Sequence, residues 1–225
     1  MGDFDINKIL TCLSAHKPVF HSENDLQASF ADEVRRIYPH ALVTREVAYN
    51  SIQGYLGDNF ERPEYASTTW TDILVSLDGA TYLVELKYKT KYLRVVISGQ
   101  SYETKEHSAH DYNRYYFLHD IQRLEDCIAN EFNGHKITEA YAVFITNDPA
   151  YQKAKKSTSV VKDFDISAGK IKQGVMRNTN NNAQTVFLAG VYEIIWSMYS
   201  SVQADGNNVF WVSIAKTNET IIGKK

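Results

Sequence analysis

The chain has 225 residues, 44% hydrophobic and 12% aromatic, which suits one domain with a sizeable core and excludes a disordered polymer. Its formal net charge of −3 gives no broad basic footprint, which argues mildly against a nucleic-acid binder but not against an acidic site flanked by local lysines. No apolar run is long enough for a bilayer, since the best stretch, 186–196, is short and carries Glu193.

In chain order, the start Met1-Gly2-Asp3-Phe4-Asp5 is acidic and lacks the basic and apolar stretches of a signal peptide. Asn7 stands where a myristoylation signal needs Ser or Thr. The two cysteines, Cys12 and Cys127, form no metal or redox spacing, so a cytoplasmic protein with reduced thiols and no membrane partner is expected. Leu26, Phe30, Val34 and Ile37 predict a helix over 26–37, with Ser22 and Asp25 as a capping box and Pro39 as the stop. Residues 42–49 read as a strand. Gly54, Gly57 and Pro63 mark 50–67 as a long loop. Two apolar runs, 70–77 and 80–88, flank Asp78-Gly79, the strongest short-range hairpin signal. A third strand is expected over 92–98. A long helix over about 109–132 follows, with the stripe Phe117, Ile121, Leu124, Ile128 and Phe132, and Gly134 as its C-cap. A buried strand over 140–146 ends at Asn147-Asp148-Pro149. The pattern dissolves over 151–177, a basic stretch, and strands near 191–199 and 209–215 close the chain. The fold class expected is α/β (α+β): a mixed central β-sheet flanked by helices, in a single domain over 1–225.

The hairpin carries the chemistry. With Asp78 and Gly79 as a two-residue turn, Val75 faces Tyr82, Ile73 faces Val84, and Asp72 falls opposite Glu85 with Cβ atoms about 5 Å apart. Lys87, two residues on, shares that face. Like charges directly opposite destabilise a sheet unless one is protonated, water screens them, or a cation sits between. A hard divalent cation suits such a pair, and Lys87 beside it would hold an attacking water or stabilise developing charge. The other face, with Ile73, Val75, Tyr82, Val84, Leu86 and Tyr88, is expected to be core.

Asp72, a turn, then Glu85-Leu86-Lys87 within TYLVELKY resembles the PD-(D/E)XK, or restriction-endonuclease-like, nuclease superfamily. Glu23 fits the acidic residue of the preceding helix, since it lies one turn before Leu26 and Gln27 and would point at the sheet. The resemblance covers about residues 20–146, with additional strands and a basic loop over 150–225. Thr71 replaces the proline of the motif, and YAVFITNDP over 141–149 looks like uncharacterised bacterial members rather than a particular enzyme. The resemblance implies a two-layered α-β-β-β-α-β core and metal-dependent hydrolysis of phosphodiesters in nucleic acid, DNA before RNA, in bacterial defence or repair. It also implies Mg²⁺ or Mn²⁺ held by Asp72, Glu85 and the Leu86 carbonyl, Lys87 acting on the water, and Glu23 holding a metal-bound water or a second ion. Lys89 and Gln100 are weak substrate-binding candidates, and a homodimer or membership of a larger system stays open.

Plainer readings stand beside these. Leu83, Glu85, Lys87 and Lys89 would also suit the wet face of a half-buried strand. An acidic residue such as Glu23 is favoured in any first helical turn. His107, His110 and Asp111 have the spacing of a transition-metal set but no further partner, and Asp120, Arg123 and Glu125 read as surface or intra-helix ion pairs. Gln100 with Tyr102 is either a substrate-contacting element or a loop, and the basic stretch is either a phosphate-binding flap or a solvated loop. The tyrosines, 15 in number, suit base stacking where exposed, though core or core-edge places are the commoner fate. The alternative to a nuclease is an inactive module of the same fold that binds nucleic acid or a protein. A nuclease should lose chemistry but keep its fold on Lys87→Ala, whereas a binding module should tolerate that change.

Overall fold

The computed structural model describes residues 4–50 and 68–223. Apart from Asn50, the expected loop over 50–67 lies outside the described residues. Helix α1 (Ile6–His16) starts at Asp5, whose carboxylate accepts from the Asn7 and Lys8 N–H groups, and it buries Ile6, Ile9, Leu10 and Leu13. It is absent from the sequence-based expectation, although the cap and the spacing both carry the signal. Helix α2 (Glu23–Ile37) begins three residues before the expected start, with Ser22 accepting from the Asp25 N–H. The capping box is one-sided, because the Asp25 carboxylate accepts from the His21 N–H and from Lys17 instead of turning back to Ser22.

The central mixed sheet comprises β1 (Leu42–Asn50), β2 (Thr68–Leu77), β3 (Ala80–Tyr88), β6 (Glu139–Thr146), β10 (Val209–Thr217) and β9 (Ser197–Ser201), side by side in that order. Only the β3–β6 pairing is parallel. A parallel step needs a crossover, and α3 (His110–Asn130) supplies it. Among the described residues, two hairpins stand outside this sheet, β4 (Leu93–Ile97) with β5 (Gln100–Thr104), and β7 (Ile171–Asn178) with β8 (Asn181–Glu193).

Both faces of the sheet are covered. On one, α1 and α2 pack around Phe20, Phe30, Ile73, Val84 and Leu86; on the other, α3 and β8 pack around Leu83, Phe117, Phe144 and Val186. Each large apolar side chain so buried contributes roughly 1.5–3 kcal/mol. The two expected layers are therefore three, and β3 is enclosed from both sides, which removes the wet-face reading of Leu83, Glu85, Lys87 and Lys89.

Several boundaries differ from expectation. The third strand does not join the sheet: Ser98-Gly99 repeats the backbone of Asp78-Gly79, φ 51° and 82° in both, and folds β4 onto β5. Gln100 and Tyr102 thus lie in a strand. Helix α3 ends at Asn130, and Glu131 takes positive φ there, while Gly134 serves the turn in which Phe132 and His135 exchange backbone hydrogen bonds. The strand expected near 191–199 is two, divided between Glu193 and Ser197, and the basic stretch holds a short 3₁₀ turn and all but the last residue of β7. No helix among the described residues is long and apolar enough to cross a membrane.

Candidate metal centre

The register of the β2–β3 hairpin follows from its turn: Leu77 pairs with Ala80, Val75 with Tyr82 and Ile73 with Val84. The ladder stops there. Asp72 and Glu85 occupy the next level but do not pair, because β2 has parted from β3. The pairing of β1 with β2 is broken at the same level, where Glu46, between partners of Ile73 and Thr71, takes φ 51°.

Beyond the parting, β3 still presents backbone groups along its vacated edge, and those groups need partners. Two carboxylates supply them. Asp72 Oδ2 accepts from the Leu86 N–H at 2.7 Å, and Glu23 Oε2 accepts from the Tyr88 N–H at 2.8 Å. The Leu86 carbonyl belongs to the same edge, since N–H and C=O of one strand residue point the same way. Glu23 also pairs with Lys89 at 2.8 Å, so α2 is tied to β3 at this point, and Glu23 does point at the sheet as its helical position predicts. Gln27, one turn further along α2, donates from Nε2 to Asp72 Oδ1 at 2.8 Å. Gln27 is a site residue outside the motif. Its signal is the four-residue spacing from Glu23 beside the apolar stripe of α2.

On the opposite face α3 closes over Glu85 and Lys87. Arg123 Nη2 donates to Glu85 Oε1 at 3.0 Å, and Lys87 Nζ lies 2.7 Å from Asp120 Oδ2, a contact held by charge more than by a well-angled hydrogen bond. Asp120 and Arg123 join each other at 3.2 Å, so their intra-helix pair exists. It is not a surface pair: Asp120 is 2% exposed, and Glu125 is fully buried and accepts from the Ala189 and Gly190 N–H groups and the Tyr192 hydroxyl. The signal was in the stripe. Positions 120 and 125 fall within the helical period of Phe117, Ile121, Leu124 and Ile128, where a charge has to face the core.

The electrostatics follow from this enclosure. Burial pushes the Asp72 carboxyl up to about 6; the Leu86 N–H and Lys87 oppose that rise, while the Asp120 and Glu23 charges add to it. Burial likewise raises Glu85 well above the ordinary carboxylate range, against the pull of Arg123 and with the help of Asp120 and Asp72. For Lys87, burial favours the neutral amine, but Asp120, Glu23 and Glu85 outweigh it and the ammonium is stabilised. Among the described residues, three carboxylates (Asp72, Glu85, Asp120) thus face two cations (Lys87, Arg123), a surplus of one negative charge that favours a proton or an added cation on one carboxylate.

No three His, Cys, Asp or Glu side chains among the described residues converge as a ready metal cluster. Mg²⁺ does not need one, since it binds through one or two carboxylates and keeps several waters. The residues fit such an ion on two counts: the surplus negative charge, and the buried Gln27 Oε1 beside Asp72, which has no hydrogen-bond partner among the described residues and suits a metal-bound water.

Other candidates do not converge here. His107 Nδ1 sits against Thr90, His110 against Asp148 at 2.6 Å, and Asp111 against Arg114, so these three residues do not form a metal set. Lys89 is engaged with Glu23, and Gln100 Oε1 accepts from the Tyr102 hydroxyl. In the basic stretch Lys155 pairs with Asp111 and Lys170 with Asp165, while buried Lys172 donates to the Asp163 carbonyl with its pKa lowered by burial to about 8. These three lysines are engaged within the fold, while Lys153, Lys156 and Lys162 are exposed.

No family model, no curated protein and no solved structure matches this chain.

Proposed function

We propose that the chain is a Mg²⁺- or Mn²⁺-dependent nuclease of the PD-(D/E)XK type, with DNA as its foremost substrate. The observation that carries this reading is the meeting of Asp72, Glu85 and Lys87 where β2 parts from β3, with Glu23 on the same edge and one negative charge in surplus. The succession α2, β1, β2, β3, α3, β6, with β6 parallel to β3, supports a restriction-endonuclease-like core, in which β4–β5 is an insertion.

Asp72, Glu85 and the Leu86 carbonyl would hold the ion. When bound, it polarises the phosphate and lowers the pKa of a coordinated water. Lys87, kept protonated by Asp120 and Glu85, presents its ammonium to the attacking water or to a phosphate oxygen. Gln27 orients Asp72 from Oδ1, which leaves the direction of that carboxylate set from two sides. Glu23 commits one oxygen to the β3 edge and would hold a water with the other.

The test is cleavage of single- and double-stranded DNA and RNA with Mg²⁺, with Mn²⁺ and with EDTA, alongside Glu85→Gln. Metal-dependent cleavage that disappears in Glu85→Gln is the expected result. Cleavage that persists unchanged in the variant, or no cleavage of any substrate, refutes the reading.

A further inference from the structure

Two carboxylates and two cations close a ring between β3 and α3. Glu85 Oε1 meets Arg123 Nη2 at 3.0 Å, Arg123 Nη1 meets Asp120 Oδ1 at 3.2 Å, and Asp120 Oδ2 meets Lys87 Nζ at 2.7 Å. Lys87 and Glu85, two apart on one strand, complete the circuit on the same face. The guanidinium is anchored elsewhere too: Nε donates to the Tyr49 hydroxyl at 3.3 Å, and Nη2 also donates to the Trp70 carbonyl. A planar fork held at this many points delivers its charge to Glu85 at a set place.

From this geometry we infer that Arg123 is a built-in counter-cation. It pairs with Glu85 in the metal-free protein and yields that contact when a divalent cation binds. The inference rests on the nuclease reading, since it takes Glu85 as a ligand. An Mg²⁺ ion bonds its oxygens at about 2.0–2.1 Å, so an ion on Glu85 would stand about 5 Å from the guanidinium if Arg123 stayed in place. At that distance the two positive charges repel, which favours release of the Arg123 contact when the ion binds. Exchange of one for the other leaves the buried Glu85 carboxylate compensated throughout, which avoids the cost of an unpaired charge in the interior. Arg123 has somewhere to go, because Asp120, the Tyr49 hydroxyl and the Trp70 carbonyl already hold its remaining donors. It is therefore a positioning residue that sets metal affinity through Glu85 without touching substrate.

The experiment is calorimetric titration of Mg²⁺, at about pH 8 so that protons compete little with the metal, into the wild type, Arg123→Met and Arg123→Lys. Removing one unit charge about 5 Å from a divalent ion tightens binding about tenfold or more, even at the dielectric constant of water. Arg123→Met should show that gain, and Arg123→Lys, which keeps the charge, should stay near the wild-type affinity. In the wild type, the guanidinium nitrogen resonance of Arg123 should move on Mg²⁺ addition in step with the binding isotherm, a readout that stands even where Arg123→Met does not fold. Equal affinity in the wild type and Arg123→Met, or an Arg123 resonance that stays put while Mg²⁺ binds, overturns the inference and leaves the nuclease reading intact. Absence of Mg²⁺ binding in every protein overturns both.

Discussion

Replacing Lys87 with alanine should cost stability as well as chemistry, and the two losses can be separated. The Lys87 side chain is 17% exposed and its partner Asp120 only 3%. Stripping one partner from a buried ion pair costs roughly 3–5 kcal/mol, because the other charge is left without compensation. Here Asp120 keeps Arg123 at 3.2 Å, but that guanidinium is shared with Glu85, so part of the loss remains. About 2–3 kcal/mol is expected for Lys87→Ala, which at this chain length lowers Tm by about 4–12 °C. Adding Asp120→Asn removes the stranded charge and should restore about 1–2 kcal/mol of that loss, a coupling typical of residues in direct contact. Cleavage should not return with it: both variants should fall by about a hundredfold or more, since neither supplies the ammonium. Urea midpoints measure the first quantity. Cleavage rates well below both transitions measure the second. Additive stability effects would refute the coupling of Lys87 to Asp120, and a double variant that regains cleavage would refute the catalytic role of Lys87. The fold should persist in Lys87→Ala, but the enclosure of Lys87 by α3 means that the variant should be less stable.

Four further predictions concern the site and the packing around it. The Asp72 carboxyl is raised from 3.8 to about 6, so the stability it contributes is present below about pH 4 and lost as pH rises through about 6; Asp72→Asn should gain on the wild type across that window in pH-dependent urea melts, and a constant difference would argue against the shift. For the same reason the Mg²⁺ affinity of the wild type should fall as pH drops through about 6, with proton release on binding that calorimetry in two buffers detects. Glu125→Ala strands the Ala189 and Gly190 N–H groups and leaves the Tyr192 hydroxyl with Thr217 alone, and should cost about 2–4 kcal/mol in urea unfolding, with Glu125→Gln costing less; a loss under about 1 kcal/mol would mean that Glu125 does not hold β8 to α3. Gly79→Ala meets no steric obstacle within 4 Å but must adopt φ +82°, so a loss of about 1 kcal/mol with cleavage retained is expected from thermal melts, and no loss would show that the turn relaxes.

What was legible in the sequence is local. A two-residue Asp-Gly turn sets the register of the strands beside it, so Asp72, Glu85 and Lys87 were placed at one end of one hairpin with no knowledge of the rest. Helical period likewise directed Glu23 toward the sheet and marked the stripe of α3. The same local signals were present but unread at α1, and at Asp120 and Glu125 within that stripe.

Only the tertiary structure decided the rest, because the rest depends on groups far apart in sequence. The parting of β2 from β3 at Asp72 reflects side chains from α2 and β2 taking the place of a strand along the β3 edge. A continuous alternating pattern in both strands gives no sign of it. Lys155, from the basic stretch, pairs with Asp111 on α3, and Glu85 meets Arg123 across 38 positions of chain. Periodicity can say that a charge faces inward. Which opposite charge awaits it there is set by how α3 crosses the sheet, and that crossing is settled by the packing of Leu83, Phe117 and Phe144 rather than by any residue of the motif.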